Sequence, residues 1–563
     1  MIRPTPFVQK VKPYTPPISG RADKIRLDFN ESNFPPSPRV LEILDKELFL
    51  KNVNFYPEDS VLVSSIAKKF FLENQNIMVA NGSNGIISAL ANTFLKAGDE
   101  VILPIPTFSI FELLFSVNGA KIKKVLYNPD FTFPAKKVLE AISSRTKAIV
   151  VVSPNNPTGT TINKDDMLAI LEKAKNTLVL VDEAYCHFAK QNFLSLTKSF
   201  SNLVVLRTFS KAYSLGGLRI GYAVSNSQNI KNLHKANLPY RVNFFSMKAA
   251  EVALEDDESL NKNIKLMQSE KQKLEKGLNR LGVEYIQTKT NFIPIKLGLW
   301  STMVHEEFEK QGILIRNIGS YPLLDGYLRV SVGLPFQNQI FLEQLETILA
   351  SRVVIFDMDG TLINVDRSFI LCVQKALKHY TGRIFTFTQI DEIRNEGGLN
   401  NDVDLIVAAA KREGKNLSFN QVLEYFDICY EKKKSNETLL IKHKALTQLS
   451  QKFSLAIFSG RTRQEAALAM ENLKLKNYFK TVILAEDTGS KPKPHPFGIC
   501  LVKKKHQSCV GVYVGDNVDD YKAATDADIA CVLIARTQKQ KVYFRKMGVK
   551  YILKNPNDLV DLL

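Results

Sequence analysis

Short β-branched apolar runs recur through the first half of the chain, at Val101 to Leu103, Ala148 to Val152, Leu178 to Val181 and Leu203 to Leu206, with helically spaced stretches between them. Strand alternating with helix predicts a largely parallel sheet flanked by helices, an α/β architecture. From about Met247 the pattern becomes helical and highly charged through Leu281, then breaks into shorter elements up to Gly333. That predicts a small C-terminal subdomain joined by a long helix. Gln337 to Ala350 reads as one more amphipathic helix, and Arg352 leads straight into the apolar run Val353 to Phe356, so the linker is almost absent. The second half repeats the strand logic at Val353 to Phe356, Leu455 to Phe458, Val510 to Val514 and Ile529 to Ile534. Nearly a hundred mostly helical, charged residues separate the first two of these strands. Such an insertion predicts a helical cap over the carboxyl edge of the sheet, where open α/β sheets bind ligands.

A chain of 563 residues exceeds what one hydrophobic core supports. The pattern divides it at 350/351. The first part has a large domain over about 40–245 and a small subdomain from the N-terminal segment with about 246–350. In the second, a core of 351–366 and 445–563 carries a cap over about 367–444. With 45% hydrophobic and 23% charged residues the composition is that of a soluble protein. No run approaches the ~18 apolar residues of a membrane span, and Met1 to Pro17 offers no apolar secretory segment, so the expectation is cytoplasmic with no membrane partner. Six cysteines without CxxC spacing argue for reduced thiols rather than a disulfide framework or zinc site. The net charge of +18 is spread evenly, with 42 basic and 33 acidic residues in 1–350 and 33 and 24 in 351–563. Without a basic tail, a nucleic-acid partner is not expected. Residues 201–250 carry seven basic and no acidic side chains, a place to hold an anionic cofactor and substrate.

That basic stretch contains Thr208-Phe209-Ser210-Lys211 and Arg219. A lysine that bonds the aldehyde of pyridoxal phosphate needs neighbours for the cofactor's phosphate, ring nitrogen and phenolic oxygen. Thr208, Ser210 and Arg219 can serve the phosphate, helped by Ser83 and Asn84 in Asn81-Gly82-Ser83-Asn84-Gly85, which opens a helix whose N-terminus favours anions. Asp182, at a strand end, can pair with a protonated pyridine nitrogen. Tyr185 and Asn156 can reach the phenolic oxygen, and Phe108 can stack on the ring.

These residues, with Asn30-Glu31, Phe55-Tyr56-Pro57, Pro106-Thr107-Phe108, Ser153 through Gly159, Asp182 through Tyr185, Arg207 through Gly221 and Leu328 through Gly333, resemble the fold-type I aminotransferases and, most closely, the histidinol-phosphate aminotransferase family. The resemblance covers residues 5–350. It implies a homodimer in which Tyr56 reaches the cofactor phosphate of the other subunit, substrate binding by Arg329 with Arg316 nearby, and glutamate as amino donor. Ser32 and Gly85 depart from the family pattern, near the substrate entry and a helix start.

The second half offers a phosphoryl-transfer set. Asp357 ends an apolar strand and Asp359 follows at the next same-facing position, giving a nucleophile and an acid/base. Ser459 can bind phosphate, and Asp516 in Gly515 to Asp520, with Asp357 and Asp359, can ligate Mg²⁺, supported by Asp520 or Asp519. A cation is needed beside the nucleophile. Lys491-Pro492-Lys493-Pro494-His495-Pro496 carries the Lys-Pro-x-Pro pattern twice, and Lys491 is preferred because the longer repeat starts there; His495 reads as a loop residue. The segment Gly397 to Asp402 either reaches substrate or forms a glycine turn with a helix cap. Residues 352–563 resemble the haloacid-dehalogenase-superfamily phosphatases with a helical cap, similar to phosphoglycolate phosphatase, which implies a Rossmann-like core and hydrolysis of a phosphomonoester through an aspartyl-phosphate.

Read together, the two resemblances imply consecutive steps on a small phosphorylated substrate: imidazole-acetol phosphate to histidinol phosphate, then to histidinol. The alternatives are another phosphorylated keto substrate, a phosphatase of different or broad specificity, or a non-catalytic regulatory second half.

Overall fold

Every apolar run picked out in the first half is a strand of one sheet: β1 (Ile77–Ala80), β2 (Glu100–Ile105), β3 (Lys121–Leu126), β4 (Thr146–Val152), β5 (Leu178–Asp182), β6 (Leu203–Thr208) and β7 (Gly221–Val224). The computed structural model describes residues 4–17, 19–45, 54–394, 401–508 and 510–563. The sheet order is β1-β7-β6-β5-β4-β2-β3, parallel except that β7 runs antiparallel to both β1 and β6. Val205 and Val181 belong to one apolar cluster, Val204 and Leu180 to another. Both faces are covered, which is why these strands read as unbroken apolar runs. Strands β5 and β6 are parallel, so Asp182 and the segment leading to Lys211 leave the sheet at the same edge.

A second, antiparallel sheet has the order β10-β11-β9-β8, from β8 (Glu284–Tyr285), β9 (Phe292–Lys296), β10 (Arg316–Asn317) and β11 (Tyr327–Ser331). Its register sets Arg316 directly opposite Arg329. The helical stretch expected from Met247 to Leu281 is two helices, Phe244–Glu255 and Asp257–Arg280. Asp256 breaks it: its carboxylate accepts from the Ser259 N–H at 3.0 Å and from the Ser37 hydroxyl, capping the second helix instead of continuing the first.

The chain divides into two compact units, Met1–Leu297 with Phe308–Glu343, and Gly298–Glu307 with Gln344–Leu563. The division falls inside the helix Pro335–Ala350. The second unit holds a six-stranded parallel sheet of β12 (Val353–Phe356), β13 (Ser454–Phe458), β14 (Thr481–Ile483), β15 (Gly511–Gly515), β16 (Ala530–Ile534) and β17 (Tyr551–Leu553), ordered β14-β13-β12-β15-β16-β17. Between β12 and β13 the described residues form five α-helices, α1 (Phe369–Thr381), α2 (Phe387–Arg394), α3 (Asp402–Arg412) and α4 (Phe419–Glu431) in the inserted segment and His443–Lys452 leading into β13. Aromatic contacts tie them together: the rings of Phe369 and Tyr430 lie 4.2 Å apart. Of the segment Gly397 to Asp402, residues 397–400 lie outside the described residues. Asn401 caps α3, accepting from Val403 N–H at 2.8 Å. Among the described residues, no helix is long and apolar enough to cross a membrane.

Candidate active sites

In the first unit the Lys211 ammonium donates to the carbonyls of Asn30 (2.8 Å) and Phe29 (3.2 Å). Burial, with Arg329 adding its charge, lowers the Lys211 amine to about 7. A neutral amine is the nucleophilic form, so this environment suits a lysine that attacks an aldehyde. Asp182 is buried, accepts the Ala184 N–H at 2.9 Å, and is lifted by burial to about 6. A buried carboxylate held by a single amide suits a cationic ring nitrogen as partner. Asn30 donates to the Tyr185 hydroxyl at 3.0 Å, and burial pushes that phenol up to about 12. The Lys211 ammonium sits 5.7 Å from the Tyr185 ring centre.

An anion corner is built from two loops. Thr208 Oγ1 donates to Ser210 Oγ at 3.0 Å, and Arg219 reaches the same hydroxyl at 3.4 Å. Against them lies the start of the helix Gly82–Phe94, whose N-cap Asn81 makes no side-chain capping bond, leaving the first-turn amides of Ser83 and Asn84 for an anion. Gly82 has φ +64°, and a Cβ there would meet the Arg219 guanidinium at 2.8 Å. Gly221 is required for the same approach, since its Cβ would stand 3.0 Å from the Ser83 nitrogen.

Arg329 is buried and donates to Asn156 Oδ1 (2.5 Å) and the Asp28 carbonyl (2.7 Å). Among the described residues its Nε has no hydrogen-bond partner. Burial lowers its basicity, and Arg316 lowers it further. Two guanidiniums and one spare N–H suit an oxyanion. Phe108 packs edge-on against Phe111 at 6.5 Å. Tyr56 is apart from this group: it is 78% exposed and stacked on Tyr240 at 4.4 Å. Ser32, a departure from the expected pattern, accepts from Ser214 at 2.7 Å.

In the second unit, Asp357 follows β12 and is buried. Burial raises its carboxyl, and Lys493 opposes the rise. The preference for Lys491 is corrected by the structure. The Lys493 ammonium lies 2.7 Å from Asp357 Oδ1, 2.8 Å from Asp520 Oδ1 and 3.0 Å from the Tyr513 hydroxyl. Lys491 is exposed, its ammonium 5.0 Å from the Phe497 ring. Burial alone would lower Lys493, but the two carboxylates more than reverse this and raise it. The loop is held by helix α5 (Phe497–His506), where a Cβ on Gly498 would collide with Phe458 of β13. His495 Nδ1 accepts the Phe497 N–H at 3.1 Å, a cap rather than a ligand.

Carboxylate oxygens of Asp357, Asp516 and Asp520 all lie within 4.8 Å of one another. Burial raises Asp516, and the nearby Asp520 and Asp357 raise it further. One lysine does not offset three carboxylates, so the donor set suits a hard divalent cation. Asp520 is engaged by protein: Oδ1 by Lys493 and Tyr513, Oδ2 by the N–H groups of Asp516 and Asn517. Asp357 and Asp516 are therefore the residues able to hold the metal, with Asp520 behind them. The backbone is drawn tight here, since a Cβ on Gly360 (φ +73°) would lie 1.8 Å from Asp516 Oδ2.

Asp359 is corrected as a carboxylate metal ligand. Strand alternation predicted that it would face the same way as Asp357, but β12 ends at Phe356 and the chain turns. Its carboxylate instead accepts from Arg461 Nε at 2.9 and 3.2 Å. Ser459 is buried at the end of β13, its N–H bonded to the Ile483 carbonyl at 3.1 Å. Arg461 and Tyr513 join the site without being among the residues to which the sequence motifs point. The available signal was an arginine two residues beyond Ser459, at the end of an apolar strand.

The description of the class I and II aminotransferases matches residues 22–345, and that of haloacid dehalogenase-like hydrolases matches residues 354–534. Histidinol-phosphate aminotransferase 2 of Carboxydothermus hydrogenoformans is 33% identical over 61% of this chain and 98% of its own length. Histidinol-phosphate aminotransferase 1 of Idiomarina loihiensis is 34% identical over 61% and 96%. Among solved structures, the histidinol-phosphate aminotransferase of Sinorhizobium meliloti in complex with pyridoxal-5'-phosphate superposes with a TM-score of 0.57 at 23% identity, covering 62% of this chain and 97% of that one. The L-threonine-O-3-phosphate decarboxylase of Porphyromonas gingivalis does so with a TM-score of 0.52 at 27% identity, covering 58% and 99%. The chain therefore belongs to the class I and II aminotransferases and carries, beyond that region, a haloacid dehalogenase-like hydrolase domain.

Proposed function

We propose that this protein is a bifunctional enzyme of histidine biosynthesis, a homodimer that transfers an amino group from glutamate to imidazole-acetol phosphate and then hydrolyses the resulting histidinol phosphate to histidinol. The observation that carries the reading is the buried Arg329 with its unpartnered Nε, facing Arg316 across the register beside the lysine cleft. Two guanidiniums are more than a single carboxylate needs and suit a phosphorylated substrate. The relatives named above for histidinol phosphate are spanned over nearly their whole length.

Pyridoxal phosphate would supply the electron sink. Lys211 would hold its aldehyde and is placed to move the substrate's α-proton. Asp182 would pair with the ring nitrogen, Tyr185 and Asn156 would hold the phenolic oxygen, and Phe108 would lie against the ring. Thr208, Ser210, Arg219, Ser83 and Asn84 would hold the phosphate. Tyr56, exposed in one chain, completes the phosphate site of a second copy. In the other unit Asp357 attacks phosphorus, and Asp359 protonates the leaving oxygen and then activates water. Lys493 and Ser459 hold phosphoryl oxygens. Asp357 and Asp516 would hold Mg²⁺, which would offset the charge of the carboxylates and the phosphoryl group.

The test is phosphate release from histidinol phosphate, phosphoglycolate and O-phosphothreonine at equal concentration. The reading expects the highest kcat/KM for histidinol phosphate; a clear preference for either of the others sends the second unit to a different ester. The likeness to a threonine-phosphate decarboxylase structure favours one second reading, in which the pair handles another amino-alkyl phosphate with the same residues.

A further inference from the structure

Arg461 is a buried arginine to which neither the metal set nor the phosphate set gives a part. Its side chain is 1% exposed. On one side it grips Asp359, with Nε shared between Oδ1 (2.9 Å) and Oδ2 (3.2 Å) and Nη2 also on Oδ1. On the other, Nη1 and Nη2 donate to Glu437 Oε2 (3.0 Å) and Oε1 (2.9 Å), a two-pronged pair. The Phe369 ring lies 4.9 Å beneath its guanidinium carbon. Glu437 is itself held, accepting from the Tyr430 hydroxyl at 3.2 Å and the Ser368 hydroxyl at 3.4 Å. Phe369 and Tyr430 stand on α1 and α4, and Glu437 lies where the chain returns from the inserted helices. A rigid fork clamped on three sides thus fixes the rotamer of a carboxylate that is otherwise one-third exposed. Two of the three Asp359 contacts fall on Oδ1, leaving Oδ2 the less engaged oxygen.

We propose that Arg461 is a positioning residue for the acid/base Asp359: clamped by Glu437, it holds Oδ1 and presents Oδ2 to the leaving oxygen of the phosphate ester. The inference rests on the phosphatase reading above. General acid help matters for an alkyl ester, whose alkoxide is a poor leaving group, and little for an aryl ester such as p-nitrophenyl phosphate, whose phenolate leaves unaided. A residue that orients the acid therefore changes the ratio of the two rates, which a loss of folded protein does not.

The experiment compares kcat for an alkyl phosphate, histidinol phosphate or glycerol 3-phosphate, with kcat for p-nitrophenyl phosphate, in full-length wild type, Arg461→Met, Arg461→Lys and Glu437→Gln. Arg461→Met is expected to lower the alkyl-to-aryl ratio about 100-fold, the lower end of general acid contributions. Arg461→Lys, which keeps the charge and loses the fork, should fall between, and Glu437→Gln, which leaves the core arginine in place and loosens its clamp, should lower the ratio less. Equal losses on both esters, or an unchanged ratio in all three variants, overturn the positioning role and leave the phosphatase reading standing. A wild type that releases phosphate from neither ester overturns both.

Discussion

Replacing Lys493 by Met should cripple the second unit in two measurable ways, while Lys491→Met should do neither. The Lys493 ammonium is buried within 2.7 Å of Asp357 and 2.8 Å of Asp520. Methionine keeps the stem and removes the charge, leaving two buried carboxylates without their cation. Breaking a buried pair in this way costs about 3–5 kcal/mol, a large part of the roughly 5–15 kcal/mol that holds a domain together. For a domain of this size the cost corresponds to a fall in Tm of about 6–20 °C. Phosphate release should also drop by at least about 100-fold, because a preorganised charge at the reacting phosphoryl group is lost. Thermal melts without added metal, with phosphate release below the melting range, read both effects. Lys491 stands in solvent against Phe497 and should tolerate the change. Normal phosphate release by Lys493→Met, or its loss in Lys491→Met, would refute the placement.

Three further outcomes are expected. The folded value of Lys211, about 7, lies below the roughly 10.4 of an unfolded lysine, so between these pH values the unfolded chain binds more protons and stability rises with pH. Urea unfolding of cofactor-free protein at pH 7 and pH 9 should show about 2 kcal/mol more of this rise in wild type than in Lys211→Met, and that variant should lack the visible band of lysine-bound cofactor; equal rises would sink the assignment. Arg329→Gln should raise KM for the phosphorylated keto substrate by roughly 10–100-fold, the worth of charge-assisted hydrogen bonds, while glutamate-free cofactor binding is unchanged; an unaltered KM would remove Arg329 from the substrate site. Chelating Mg²⁺ should stop phosphate release and leave transamination intact, and persistence of hydrolysis in chelator would contradict the metal role of Asp357 and Asp516.

The positions legible in the sequence are those fixed by local rules. Asp182 and Lys211 sit at or just beyond the ends of adjacent parallel strands, and apolar runs terminate visibly. Ser83 and Asn84 open a helix marked by Asn81-Gly82. What sequence could not decide depends on distant packing. Lys491 and Lys493 have the same local pattern, and only the approach of Gly498 to Phe458 and the depth of Asp520 select the buried one. Strand alternation sets Asp359 beside Asp357, but Asp359 lies three residues past Phe356, where the strand ends. Asp519 and Asp520 stood as equals until the backbone amides of Asp516 and Asn517 singled out Asp520. Arg461 meets Asp359 and Glu437 from 102 and 24 residues away, contacts that no spacing rule announces. The helix break at Asp256 was legible in principle, since an aspartate followed three residues later by Ser259 is a capping pattern, but helical periodicity on both sides masked it.

Whether one chain performs both steps is decided by a single time course. Wild type and Asp357→Asn are incubated with pyridoxal phosphate, Mg²⁺, glutamate and imidazole-acetol phosphate, and histidinol phosphate, histidinol and inorganic phosphate are followed together. Wild type should yield histidinol with equimolar phosphate, and Asp357→Asn should accumulate histidinol phosphate at the wild-type rate of transamination without releasing phosphate. Histidinol phosphate accumulating in both proteins would contradict the second step, and no aminated product in either would contradict the first.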